Sequence, residues 1–216
     1  MLFFSCFYIT VCEFKHYLSL KKDAFLCFWI YYYSFFNFTL KIVLKKLENI
    51  IHEFVHKRDF STMVPQLVSD KKLRDDLFLM VKNKMEYPYS EYASWIITHL
   101  AKSHPQLVQK YHKMLIDNLF ETSNQSVLRN IAAAINQLRM IDYRESEFID
   151  LLFNFILNKN NKIALQVYSI YLLIPFIKKY PELKNEMDEV LNINHERDSP
   201  AYRVALRNYH LAFTKK

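Results

Sequence analysis

The stretch that decides the fold is Ser94–Leu119, which reads SWIITHLAKSHPQLVQKYHKMLIDNL. It contains two amphipathic segments that meet at Pro105, and the chain repeats this arrangement twice. A shift of 38 residues aligns apolar positions and the hinge: Ile97 with Ile135 and Leu173, Leu100 with Leu138 and Phe176, and Pro105 with Tyr143 and Pro181. A period near 40 residues with two helices per unit is typical of an α-solenoid, in which helix pairs bury their apolar faces by stacking on their neighbours.

The composition agrees with an all-α fold. None of the 216 residues is glycine, and 51% are hydrophobic. Glycine supplies the positive-φ positions and close backbone approaches of phosphate-binding loops and nucleophile elbows, so Rossmann, P-loop and hydrolase motifs are excluded. We predict that residues 44–216 form one all-α domain, an α-solenoid of four to five antiparallel helix pairs.

Apolar residues at helical spacing predict the individual helices. Asp70, Ser123 or Asn124, and Ser199 are the expected N-terminal caps, because their side chains can accept from the first free backbone N–H groups. Pro175 is expected to kink its helix, since it removes one backbone donor. The predicted helices cover residues 43–57, 71–84, 91–103, 106–119, 127–141, 145–157, 164–179, 182–192 and 201–213. A further short helix, with Pro65 near its start, is expected between the first two of these.

Residues 1–43 differ from the rest. Fourteen of them are Phe or Tyr, and Trp29 adds another aromatic ring. Three interpretations stay open: translation from a start placed too far upstream in AT-rich DNA, a membrane anchor over 24–44 flanked by lysines, and a native packed segment. We expect contact with a membrane only if the anchor is genuine.

Charge and cysteine usage suggest partners and a compartment. The net charge of +7 permits contact with nucleic acid without requiring it. All three cysteines, Cys6, Cys12 and Cys27, precede the repeats. The repeats therefore contain no disulfide or thiolate metal site, which favours a reducing cytoplasm.

The stretch Ser90–Phe213 resembles a small, uncharacterised bacterial family of HEAT-like repeat proteins. The resemblance rests on the following features: Glu91–Trp95 (EYASW), the paired hinges KSHPQL at 102–107 and KKYPEL at 178–183, and Ser199–Arg203 (SPAYR). It implies a HEAT-like repeat fold. Some members are labelled adenylosuccinate lyase, but the glycine-containing loop of that enzyme cannot form here. The ladder of Asp and Arg usual in HEAT repeats is incomplete, because Asp117 aligns with Phe155 and Ile193.

The segment His52–His56 reads HEFVH and matches the H-E-x-x-H zinc-peptidase motif. That spacing puts His52 and His56 on one helix face, with Glu53 as general base toward a zinc-bound water. No extended motif supplies a third ligand, and both imidazoles fall on a polar stripe. We expect a solvated helix face without a metal, and a zinc metallohydrolase is the remote alternative.

Basic residues that recur along the repeats form the second candidate site. If they lined one concave face they could follow a phosphate backbone, whereas scattered lysines and arginines would be ordinary surface. The residues proposed for binding are Arg129, Arg139, Lys162, Arg203 and Arg207.

The sequence thus predicts a non-catalytic helical-repeat scaffold that binds an unknown protein partner and needs no cofactor. A solenoid would do so by presenting a rigid surface to a partner helix or segment. Nucleic-acid binding is the alternative from a different class.

Overall fold

A computed structural model of the chain describes residues 47–49, 51–52, 60, 63–193 and 199–214. The chain divides into two units, Met1–Lys46 and Leu47–Lys216, and every described residue lies in the second. The aromatic segment 1–43 and most of the helix predicted over 43–57 lie outside the described residues. Within the described part, no helix has both the length and the apolar character needed to cross a membrane.

From Met63 onward the described residues form ten α-helices and no strand, which confirms the all-α prediction. A short 3₁₀ turn, Gln109–Tyr111, joins the fourth helix to the fifth. The helices are α1 Met63–Ser69, α2 Lys71–Lys82, α3 Tyr89–Ser103, α4 Pro105–Val108, α5 His112–Glu121, α6 Gln125–Ile135, α7 Glu145–Leu157, α8 Ile163–Lys179, α9 Leu183–Ile193 and α10 Pro200–Thr214.

The helices stack in two layers. Layer A contains α3, α6, α8 and α10, each packed on the next, and their first residues are 36, 38 and 37 positions apart. Layer B contains α2, α5, α7 and α9; α2 packs on α3, α5 on α6, α7 on α8, and α9 on α7. Ile97, Ile135 and Leu173, which the 38-residue shift aligns, are all buried between the layers. The α-solenoid prediction is therefore confirmed.

Three of the predicted caps begin helices as expected. The Asp70 carboxylate accepts from the backbone N–H of Leu73 at 3.0 Å. The Asn124 side chain, one of the two candidates before α6, accepts from the backbone N–H groups of Ser126 and Val127. The Ser199 hydroxyl accepts from the backbone N–H of Tyr202.

Two helices differ from the prediction. The helix predicted over 127–141 ends at Ile135, and residues 136–144 form an irregular connection to α7. The segment predicted as one helix over 106–119 is divided into α4, the 3₁₀ turn and α5. The helix α8 continues through Pro175 to Lys179, and the kink at that proline stays a prediction.

Candidate functional site

Carboxylates of layer B are bound by side chains that come from the following helix pair. Asp75 of α2 accepts from the Tyr111 hydroxyl and pairs with Lys110, whose Nζ lies 3.2 Å from Oδ1. The Tyr111 hydrogen bond holds the pKa of Asp75 below its usual range, and Lys110 contributes in the same direction. Burial and the same hydrogen bond raise the pKa of Tyr111.

The next carboxylate along layer B, Asp117 of α5, is held in the same way. The Tyr143 hydroxyl lies 2.9 Å from both of its oxygens, and Arg144 Nη1 lies 3.1 Å from Oδ1. The Arg144 guanidinium also lies 4.0 Å from the centre of the Phe120 ring. Asp117 therefore pairs with Arg144, which lies in the connection 136–144 and not at a position that the repeat alignment matches to a HEAT-type arginine.

These cross-links engage several of the basic residues that recur along the repeats. In the third pair, Lys179 Nζ lies 2.8 Å from Glu145 and 3.3 Å from Asp142. Lys110, Arg144 and Lys179 are therefore bound to carboxylates of this chain. Inter-repeat pairing, more than a ligand, accounts for their recurrence.

The five residues proposed for binding lie in separate parts of the fold. Arg129 lies in the second turn of α6 and donates to its neighbour Asn130. Lys162 immediately precedes α8, and its backbone N–H donates to Gln125 at 3.2 Å. Arg139 is exposed in the connection 136–144, and Arg203 and Arg207 are exposed on α10.

The geometry does not bring this set together. The layer A helices run parallel, so Lys162 at the start of α8 and Arg139 beyond the end of α6 lie at opposite edges of the stack. An 11-residue helix such as α6 separates these edges by about 16 Å. Arg203 and Arg207 are exposed one turn apart on α10, whereas Tyr209 of the same helix is buried and its hydroxyl donates to Asp188 of α9. Binding by these residues stays a prediction.

The charge of the described part is nearly balanced. Its ranges contain 18 Lys and Arg residues against 16 Asp and Glu residues, a net charge of +2. Most of the +7 of the whole chain is therefore carried by residues outside the described ranges. This distribution does not favour a phosphate-binding track along the repeats.

The zinc-motif prediction is only partly covered by the structure. His52 is exposed, while Glu53 and His56 lie outside the described residues. Among the described residues, no group of three or more His, Cys, Asp and Glu side chains could hold a metal ion. The zinc site stays a remote prediction.

A small cleft lies at the edge where layer A helices end and layer B helices begin, here called the hinge edge. It has a volume of about 60 Å³ and is bounded by α5, α6, α7, α8 and the connection 136–144. Leu138, Met140 and Ile141 from the connection line one side, and Met140 is 43% exposed. Tyr171 and Pro175 of α8 line the opposite side. The cleft offers an apolar interior with an accessible rim.

The side chain of Gln109 fixes the connection that lines the cleft. Its Oε1 accepts from the backbone N–H of Arg139, and its Nε2 donates to the Arg139 carbonyl, each at 2.9 Å. Both backbone groups of Arg139 are thus satisfied from the preceding helix pair, so they need no helical partners. Gln109 thus holds the connection just beyond the end of α6 at Ile135, where Leu138 and Met140 lie beside the cleft.

His112 of α5 is the titratable side chain of the cleft. It is buried, and Gln109 Nε2 lies 3.3 Å from its Nδ1. Burial lowers the pKa of His112 to about 4, although a hydrogen bond with the Arg139 backbone acts in the opposite direction. The imidazole is therefore neutral at pH 7, so one ring nitrogen can donate a hydrogen bond and the other can accept one.

The pattern of apolar residues did not predict this cleft. Residues 136–141 were expected to be helical, and the 38-residue shift aligns Leu138 with Leu100 and Phe176, which lie in helices. The usable signal was Asn136, a residue type common just beyond helix ends. The partnership of Gln109 with Arg139 spans 30 residues and has no local sequence signature.

Comparison with known families identifies one match. The family model described as a HEAT repeat domain matches residues 36–212. Neither a curated protein nor a solved structure matches the chain.

Proposed function

The chain belongs to the HEAT repeat domain family, and from that premise we propose that it is a non-catalytic scaffold that binds a protein partner at the hinge edge. The observation that carries this proposal is the cleft beside Met140, which combines an apolar interior with an exposed methionine. Flexible, polarizable methionines are common on surfaces that bind protein segments. The cleft can therefore receive an apolar side chain of a partner.

The cross-links between helix pairs support a scaffold role. Asp75 is tied to Lys110 and Tyr111, and Asp117 to Tyr143 and Arg144. These contacts join successive pairs, so the surface that meets a partner is largely formed before binding. Preorganisation reduces the entropy lost on association.

Nucleic-acid binding is the competing function, and the charges favour it less. The described residues carry a net charge of +2, and Lys110, Arg144 and Lys179 are bound to acidic side chains of the chain itself. Neutralising phosphates requires basic side chains that are free to contact them.

We also propose a cytoplasmic location, because the repeats lack cysteine and so depend on no disulfide. The bacterial subgroup suggested by the sequence motifs stays a prediction. The proposed absence of catalysis rests on the lack of glycine-dependent motifs and on the family, whose members are repeat scaffolds.

The test is an affinity capture with the full chain as bait, with and without nuclease. The informative variant is Met140→Lys at the cleft, and its matched control is Leu157→Lys at the end of α7. These apolar residues are similarly exposed, at 43% and 40%, but lie at opposite edges. We expect a discrete partner that survives nuclease, binds the Leu157→Lys protein and is lost with Met140→Lys. Recovery that disappears with nuclease, or equal recovery by both variants, would contradict the proposal.

A further inference from the structure

The cleft at the hinge edge has room for one aliphatic side chain. Its volume is about 60 Å³, where about 10–15 Å³ suffices for one water molecule. Ile116, Ile135 and Phe148 contribute to its apolar interior. A Leu or Met side chain that entered would exchange water for these apolar surfaces, which is favourable in proportion to the area buried.

The wall of the cleft also offers a backbone acceptor. Pro175 has no N–H group, so the carbonyl of Tyr171, four residues earlier in α8, lacks its usual helical donor. Both residues line the cleft. A peptide backbone N–H beside an inserted side chain could supply the missing donor, since backbone carbonyls are strong acceptors.

The rim of the cleft carries positive charge. Exposed Lys113 lies three positions before the lining residue Ile116, and its Nζ lies 5.2 Å from the centre of the Tyr143 ring in the connection. Exposed Arg139 lies between the lining residues Leu138 and Met140. Exposed Lys178 lies three positions after Pro175, which also lines the cleft, so the two fall near the same face of α8.

Among the described residues, Lys113, Arg139 and Lys178 form no ion pair with an acidic side chain. The nearby acids Asp142 and Glu145 share the single ammonium of Lys179. Four basic side chains thus stand beside these two carboxylates. The charge available to a partner at this rim is therefore positive.

We propose that the cleft binds an acidic peptide segment that inserts one Leu or Met side chain between the connection 136–144 and α8. This inference rests on the proposed scaffold function and specifies the chemistry of the partner. The apolar interior selects the inserted side chain, the Tyr171 carbonyl orients the peptide backbone, and Lys113, Arg139 and Lys178 attract the flanking carboxylates. Charge complementarity of this kind chiefly sets specificity and association rate.

The test measures binding of short fluorescent peptides to the full chain by anisotropy at low salt. The probes are an Asp- and Glu-rich peptide with one central Leu, the same peptide with Ala in place of Leu, and a Lys-rich peptide with the central Leu. A single-stranded oligonucleotide of equal negative charge is the fourth probe.

Arg139→Glu reverses one rim charge, and its effect on folding should be small because Gln109 binds the backbone of Arg139 and not its side chain. Lys159→Glu, in the connection between α7 and α8, is the matched control at the opposite edge.

We expect the acidic Leu peptide to bind most tightly and to lose roughly tenfold in affinity with Arg139→Glu, the size expected for loss of one favourable charge contact. The Lys159→Glu protein should bind it nearly as the wild type does. Equal binding of the acidic and Lys-rich peptides, or of the Leu and Ala peptides, would overturn the proposal. The proposal would also be overturned if the oligonucleotide bound more tightly than the acidic Leu peptide and its affinity were the same for the Met140→Lys protein.

The two proposals fail in different ways. If the acidic Leu peptide does not bind but affinity capture still yields a nuclease-resistant partner sensitive to Met140→Lys, the scaffold function stands and the acidic-segment proposal is wrong. If capture is sensitive only to nuclease, the scaffold function itself is wrong.

Discussion

The hinge at Pro105 and the connection 136–144 occupy equivalent places in successive helix pairs. A single residue, His104, separates α3 from α4, whereas nine residues separate α6 from α7. At the first place α3 continues to Ser103, and α4 begins at Pro105. At the second place α6 ends at Ile135, and residues of the following connection line the cleft. The repeated part of the sequence builds the stack, and the departure from the repeat builds the candidate site.

Leu100 and Leu138 give the most direct test of this comparison, because the 38-residue shift aligns them. Leu100 is fully buried in α3, while Leu138 is half-buried beside the cleft. Leu100→Ala should lower the free energy of unfolding by about 2–5 kcal/mol, the usual cost of truncating a core leucine. Leu138→Ala should cost below about 1 kcal/mol, since less apolar area leaves water there. Urea denaturation followed by circular dichroism measures both, and equal losses would mean that the two positions are equivalent after all.

His112 distinguishes the cleft from the hinge by its response to pH. Burial lowers its pKa in the folded protein to about 4, while an unfolded chain has the ordinary histidine value of about 6.5. Between these values the unfolded state binds a proton that the folded state does not, so stability falls as pH falls from about 6.5 to 4. The loss attributable to this group is up to about 3 kcal/mol at the lower limit.

The measurement is the midpoint of urea unfolding from pH 7 to pH 4. His112→Gln should flatten the decline over this range, whatever its effect at pH 7. The control is His104→Gln at the hinge, where the imidazole Nδ1 lies 2.9 Å from the neighbouring Ser103 hydroxyl on the surface. Identical pH profiles for the wild type and His112→Gln would show that burial of this imidazole has no energetic consequence.

The sequence predicted the stack well because its evidence is local and periodic. The apolar spacing around Ile97 and Leu173, with caps such as Asn124, sufficed to predict the four layer A helices, and each predicted start lies within two residues of the observed one. It failed beyond Ile135, where the backbone of Arg139 is held by Gln109 from another helix pair. Likewise, Asp117 pairs with Arg144 outside the aligned positions. Tertiary partners of this kind override local propensity without leaving a periodic trace.

Loss of the Gln109 side chain should therefore make the connection 136–144 behave like an ordinary exposed loop. In Gln109→Ala, the backbone N–H of Arg139 loses its side-chain acceptor, and the Arg139 carbonyl loses one donor but keeps its hydrogen bond with His112. The site is exposed, so water can replace the lost amide. The expected cost is about 1 kcal/mol, that of a typical hydrogen-bonding side chain. Hydrogen exchange should be faster across 136–143, with little change in α3. The control is Gln137→Ala, because Gln137 is exposed in the same connection and its loss leaves the hydrogen bonds between Gln109 and Arg139 intact. If the connection keeps its protection in Gln109→Ala, the packing of Leu138 and Ile141 against α8 must hold it in place. The early end of α6 would then follow from apolar contacts and not from the hydrogen bonds between Gln109 and Arg139.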